Sequence, residues 1–153
     1  MTYKVRFLDW DLRFHMHGLL AMLYFGYALN SIFFSSPTFL SLLTISGCLT
    51  LLLTVHEMAH GYMARYFGYS VNEIHYHFLG AAIFVPEQKT SNEQILVAAA
   101  GPESNFVMAT VAFIFLLFLN TIGVESDSFL VDLSEMFISI NLVLGAFNLV
   151  PAF

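Results

Sequence analysis

TFLSLLTISGCLTLLLTVHEMAHGYMARYF, residues 38–67, decides the fold. No Asp, Glu, Lys or Arg interrupts it before Glu57. An uncharged apolar run of about 18 residues or more reads as a membrane-spanning helix. This one is long enough to cross with tilt or to project beyond the bilayer. Gly68 supplies a stop signal directly after it.

The pattern repeats on both sides. Charged residues are also missing between Arg13 and the second span, between Glu103 and Glu125, and after Glu135. Four spans are predicted: 18–34, ended by Ser35-Ser36-Pro37; 38–67; 92–121, opened by a capping box of Ser91 and Gln94; and 128–149, running into Pro151. Only 10% of the chain is charged, against about 25% in soluble domains, which excludes an ordinary soluble domain. The net charge of −6 excludes the basic footprint of a nucleic-acid binder. Cys48 stands alone, so no internal disulfide is expected and the redox compartment stays unread. Asp9 and Asp11 before the first apolar run, with no small-residue cleavage site after it, argue against a cleavable signal peptide.

Two stretches do not fit helices. Residues 3–16 alternate as strands do, with Tyr3, Val5 and Phe7 on one face and then Leu12, Phe14 and Met16, and a turn near Asp9-Trp10-Asp11 makes a hairpin. Residues 71–86, VNEIHYHFLGAAIFVP, are aromatic and β-branched around Gly80 and read as a second strand–turn–strand. Such backbone sits at membrane depth only when paired or covered. Lys4, Arg6 and Arg13 precede the first span, and Arg65 and Lys89 lie between the second and third. With four spans both groups fall on one side, and the positive-inside rule puts both termini in the cytoplasm. The expectation is a membrane α-helical protein, multi-pass and integral. One transmembrane domain covers 1–153, with four transmembrane helices and a small β-hairpin element at the cytoplasmic face.

Inside the second span lies His56-Glu57-Met58-Ala59-His60. Helix positions i and i+4 share a face about 6 Å apart, so two imidazoles so placed can bind one zinc ion. Glu57 lies close enough to accept a proton from a zinc-acidified water. Two histidines and a glutamate are costly within a membrane span unless partnered; the alternative is a structural pairing near the span's end. Depth agrees with a site. At about 1.5 Å per residue, His60 lies about 10 Å and His56 about 16 Å from the end of their span. Asn148, near the end of the fourth, falls on the same side.

Three motifs in order carry a family resemblance. His56-Glu57-Met58-Ala59-His60, Ala100-Gly101-Pro102-Glu103-Ser104-Asn105, and Asn141-Leu142-Val143-Leu144-Gly145-Ala146-Phe147-Asn148-Leu149-Val150-Pro151 resemble the conserved segments of the site-2 proteases, intramembrane zinc metalloproteases. The resemblance implies that His56 and His60 bind Zn2+ and that Glu57 is the general base. It implies that Asn148 positions substrate or stabilises the oxyanion, and that the substrate is itself a single-span membrane protein in the lipid bilayer. In that family an Asp-Gly follows Asn-x-x-Pro and supplies the third zinc ligand; here it would fall about three residues beyond Phe153. The chain is then expected to be either a truncated form or one that has lost the ligand, holding zinc weakly as written.

Glu103, about 16 Å into the third span, has two readings: a substitute ligand or outer partner of the metal, or a side chain bonded to backbone freed by Gly101-Pro102. His75 with His77 and His15 with His17 alternate on strand faces, and each pair can bind metal but lacks a third ligand nearby. The reading favoured is an interfacial one, in an aromatic belt with Trp10 and Tyr76. Asn30 is expected to make an interhelical hydrogen bond.

The function read from these residues is a zinc metalloendopeptidase core of the site-2 protease type, cleaving transmembrane segments. The alternatives are a catalytically dead membrane protein that grips such segments, and a histidine-rich subunit holding haem or another redox cofactor.

Overall fold

The computed structural model describes residues 2–34, 38–78, 80–86 and 90–149. Among these, the chain order is β1 (Thr2–Phe7), β2 (Trp10–His15), α1 (Met16–Phe33), α2 (Phe39–Tyr66), β3 (Glu73–His77), β4 (Gly80–Ile83), α3 (Ser91–Thr121) and α4 (Phe129–Leu149). All four helices are long and apolar enough to cross a membrane.

Local chemistry sets the helix ends. Thr38 caps α2: its hydroxyl accepts from Ser41 N while Ser41 Oγ accepts from Thr38 N at 2.8 Å, satisfying donors that a helix start leaves orphaned. At the other end Gly68 adopts φ 86°. Its N–H bonds to Arg65 O at 2.9 Å and the next N–H, of Tyr69, to Ala64 O at 3.1 Å. This is the Schellman closure that glycine permits, as expected of Gly68. The start of α3 differs from expectation. Thr90, not Ser91, is the cap, its hydroxyl accepting from Glu93 N at 3.3 Å.

The β segments also differ from two separate hairpins. They merge into one sheet of order β1-β2-β3-β4. Strands β1 and β2 pair antiparallel, as do β3 and β4, while β2 and β3 pair in parallel with Leu12 opposite Ile74 and Phe14 opposite Tyr76. Helices α1 and α2 form the crossover that parallel pairing requires. The first turn falls at Leu8-Asp9, with Leu8 at φ 53° and Trp10 already in β2.

One face of the sheet packs on the C-terminal half of α2 and the start of α3. Trp10, Leu12, Ile74 and Tyr76 form a core with Met58, Ala64 and Val97. The Arg65 guanidinium lies 3.9 Å over the Trp10 ring and pairs with Asp9. Tyr76 hydrogen-bonds Thr54, and burial pushes its phenol up to about 12. Trp10 and Tyr76 are both fully buried, which corrects the interfacial-belt reading. Their rings bolt the sheet to the helix carrying His56. Between α1 and α2, Asn30 Oδ1 accepts from Ser41 Oγ at 2.8 Å, the interhelical bond expected of it.

Candidate metal centre

His56 and His60 point from α2 towards α3 and are turned towards each other. Their Nε2 atoms are 3.1 Å apart and the rings meet edge-on at 82°. Zinc–nitrogen bonds of about 2.0–2.1 Å in a tetrahedron place two nitrogens about 3.3 Å apart, close to the spacing found. His60 Nδ1 lies 2.6 Å from Val97 O. A carbonyl only accepts, so Nδ1 carries the proton and the lone pair of Nε2 faces His56. Histidines that ligate metals are oriented by such outer partners.

The facing surface belongs to α3. Val97, Gly101 and Asn105 recur every four residues and therefore share one face. A Cβ at Gly101 would collide with His60 Nε2 and come within 2.7 Å of His56 Nε2, so only glycine leaves the space on which both nitrogens converge. Asn105 is fully buried and its side chain faces His56. Its Nδ2 and Oδ1, with His56 Nδ1, make no hydrogen bond of good geometry among the described residues, although the amide lies beside the imidazole. Buried polar atoms left unpaired are expensive, and several at one point mark a place built to receive a polar group. The donor set fits zinc: two imidazoles, one with its tautomer fixed, in a space kept clear by glycine. No third His, Cys, Asp or Glu among the described residues closes a ligand group with them.

Glu57 is buried next to this pair, and its Oε2 accepts a hydrogen bond from Ile83 N on β4 at 3.0 Å. The sheet therefore reaches into the centre and orients its carboxylate. The two other predicted residues are both exposed. Glu103 is exposed, two positions from Gly101 and so on roughly the opposite side of α3. Asn148 is exposed and returns its Nδ2 to Leu144 O of its own helix at 2.8 Å. Residues 150–153 lie outside those described. Asn105 closes the second of the three motifs, and its spacing of four from Gly101 is the sequence signal that puts it on the same helix face.

The sequence pattern of Peptidase family M50 matches residues 44–135, a stretch that holds the His56–His60 motif and the facing segment of α3. The chain belongs to peptidase family M50. A protein named as a zinc metalloprotease, Rip3 of Mycobacterium tuberculosis, is 32% identical over 113 residues, which are 72% of this chain and 28% of that one. YwhC of Bacillus subtilis, also named as a zinc metalloprotease, is 30% identical over 127 residues, 64% of this chain and 58% of that one. The M50 chain thus spans between about a quarter and three-fifths of the curated relatives it matches. A solved site-2 protease from Methanocaldococcus jannaschii shares the fold, with TM-score 0.70 at 21% identity, over 100% of this chain and 66% of that one.

Proposed function

We propose that this M50 chain is the core of a zinc-dependent endopeptidase working inside a membrane on membrane-spanning segments of other proteins. The carrying observation is the convergence of His56 Nε2 and His60 Nε2 at 3.1 Å, against a glycine and beside a buried glutamate. Bound there, Zn2+ would acidify water and polarise a peptide carbonyl. The chain's own residues do the rest. Glu57, with Oε2 tied to Ile83 N–H, accepts the proton of the attacking water and returns it to the leaving amine. Asn105, buried beside His56 at the site, donates its amide to the substrate carbonyl oxygen as negative charge builds; in this reading it takes the part that the family resemblance assigns to Asn148.

A helical substrate hides its carbonyls in its own hydrogen bonds and must unwind. Strand β4 is the sheet edge that receives it. Ile83 N–H points away from β3, to Glu57, so Ala81, two residues earlier, presents its backbone on the same edge. A substrate segment added there as a fifth strand lies beside Glu57. Membrane insertion is supported by large apolar side chains facing outward on the helices, among them Leu20, Ile32, Leu40, Val111, Ile114 and Val143. The basic residues flanking the first span and following the second support cytoplasmic termini.

The test is Glu57→Gln with a single-span reporter, in this chain and in a form extended by the family's Asp-Gly segment. In whichever form cleaves, cleavage should vanish while zinc content holds. Proteolysis retained in Glu57→Gln would remove the base from its role.

A further inference from the structure

The two faces of the sheet carry different chemistry. Strand side chains alternate. With Trp10, Leu12, Ile74 and Tyr76 turned into the core, Asp11, Arg13 and His15 of β2 share the outer face with Glu73, His75 and His77 of β3. The parallel register sets Asp11 opposite Glu73 and Arg13 opposite His75. Arg13 pairs with Glu73 at 2.5 Å, and Glu73 Oε2 accepts from His75 Nε2 at 3.2 Å. Beyond this pair the face ends in imidazoles. Ligand atoms of His15, His75 and His77 all lie within 4.8 Å of one another. His17, in the first turn of α1, stacks on His15 and His77 with ring centroids 5.4 and 5.9 Å away.

We propose that His15, His75 and His77 form a second metal site, separate from His56 and His60, for a divalent transition cation of the zinc class. Three imidazoles suit zinc, copper and nickel rather than calcium or magnesium. Two details prepare the ligands. His15 Nδ1 faces Thr2 Oγ1 at 3.4 Å, while its Nε2 is buried with no hydrogen-bond partner among the described residues; a cation supplies that partner. His75 gives Nε2–H to Glu73 and keeps Nδ1 for a metal, the carboxylate–histidine–metal arrangement of outer-shell support.

Binding makes one geometric demand. Among His15, His75 and His77 the rings are nearly parallel, at 7–23°. Imidazole lone pairs lie in the ring plane, so planes stacked in this way cannot all contain one ion. The rings must turn about χ2 and draw their nitrogens to about 3.3 Å apart. The side chains are half-buried rather than enclosed, which leaves room for that turn. Occupancy then ties the end of β2 to β3, whose partner β4 holds Glu57.

This site does not depend on the hydrolytic reading, and the test separates them. The full chain, purified without a histidine tag, is titrated with Zn2+ and with Co2+ at neutral pH. The double variant His56→Ala/His60→Ala should keep one equivalent of zinc and show the visible absorption of ligated Co2+. Adding His15→Gln and His77→Gln should weaken that binding at least about tenfold, the low end of what losing even an outer-shell partner costs. His77→Gln alone, with the metal-free circular dichroism spectrum unchanged, carries the same test should the multiple variant fail to fold. A double variant that binds no zinc, or one whose affinity ignores the His15 and His77 changes, overturns the second site.

Discussion

Two groups of histidines lie on opposite sides of this small sheet and are built in opposite ways. His56 and His60 sit one turn apart on a single helix, the first buried and the second half-buried, with Nε2 atoms already 3.1 Å apart and one Nδ1 tied to a backbone carbonyl. His15, His75 and His77 come from two strands joined by a parallel crossover, stand half-exposed, and stack rather than converge. The first group is local and preorganised; the second is assembled by topology and must rearrange to bind. Local geometry can be read from spacing alone, whereas the second group exists only after β2 has found β3.

The sharpest way to break the comparison is Glu57→Gln. Losing a general base costs about 10²–10⁴ in rate, so cleavage should disappear into background while zinc binding at both groups holds. Equal damage to metal content would mean that Glu57 is structural. Next is Asn105→Ala. Removing an oxyanion donor costs about 10²–10³ in kcat. Because this amide is buried yet makes no hydrogen bond of good geometry, its loss should lower thermal stability far less than it lowers the rate. A fall in stability matching the loss of rate would make Asn105 a packing residue.

Smaller effects separate the sheet's roles. Ile83→Pro deletes the N–H that holds Glu57 on an edge strand, where proline is tolerated. A hydrogen bond to a charged group is worth about 1.5–3 kcal/mol, so a fall of about tenfold or more in kcat and an altered pH profile are expected. Ile83→Ala, which keeps the N–H, should change neither. Smallest is Glu73→Gln. It should weaken zinc at the sheet group by about tenfold and leave the His56–His60 group untouched. Glu73 also predicts a direction with pH. The Arg13 side chain holds its carboxyl below the usual range, so this support is complete above ordinary carboxylate values and is lost as pH falls through the depressed one. The Glu73 carboxyl resonance in an acid titration should report that lowered midpoint.

The helices were legible because an uncharged apolar run admits few other structures, and Gly68 and Asn30 behave as their types suggest. The strand segments were legible as strands from their alternation, but their union into one sheet was not. Nothing in residues 3–16 or 71–86 announces a parallel partner across two intervening helices. That blindness also hid the third imidazole and misplaced Trp10 and Tyr76, which become core only once the sheet lies on α2. At the candidate metal centre the helix spacing of His56 and His60 was enough to bring the two imidazoles together. Their surroundings were not, because which face of α3 meets them depends on packing. Glu103 drew notice by its charge, while Gly101 and Asn105, on the face that meets the imidazoles, carry none.

The most direct measurement is an anomalous-difference map at the zinc edge from crystals of the zinc-loaded protein. A peak about 2.0–2.1 Å from both His56 Nε2 and His60 Nε2 is predicted, on the side kept open by Gly101. Density for zinc at the sheet histidines with none between His56 and His60 would contradict a metallopeptidase centre on α2.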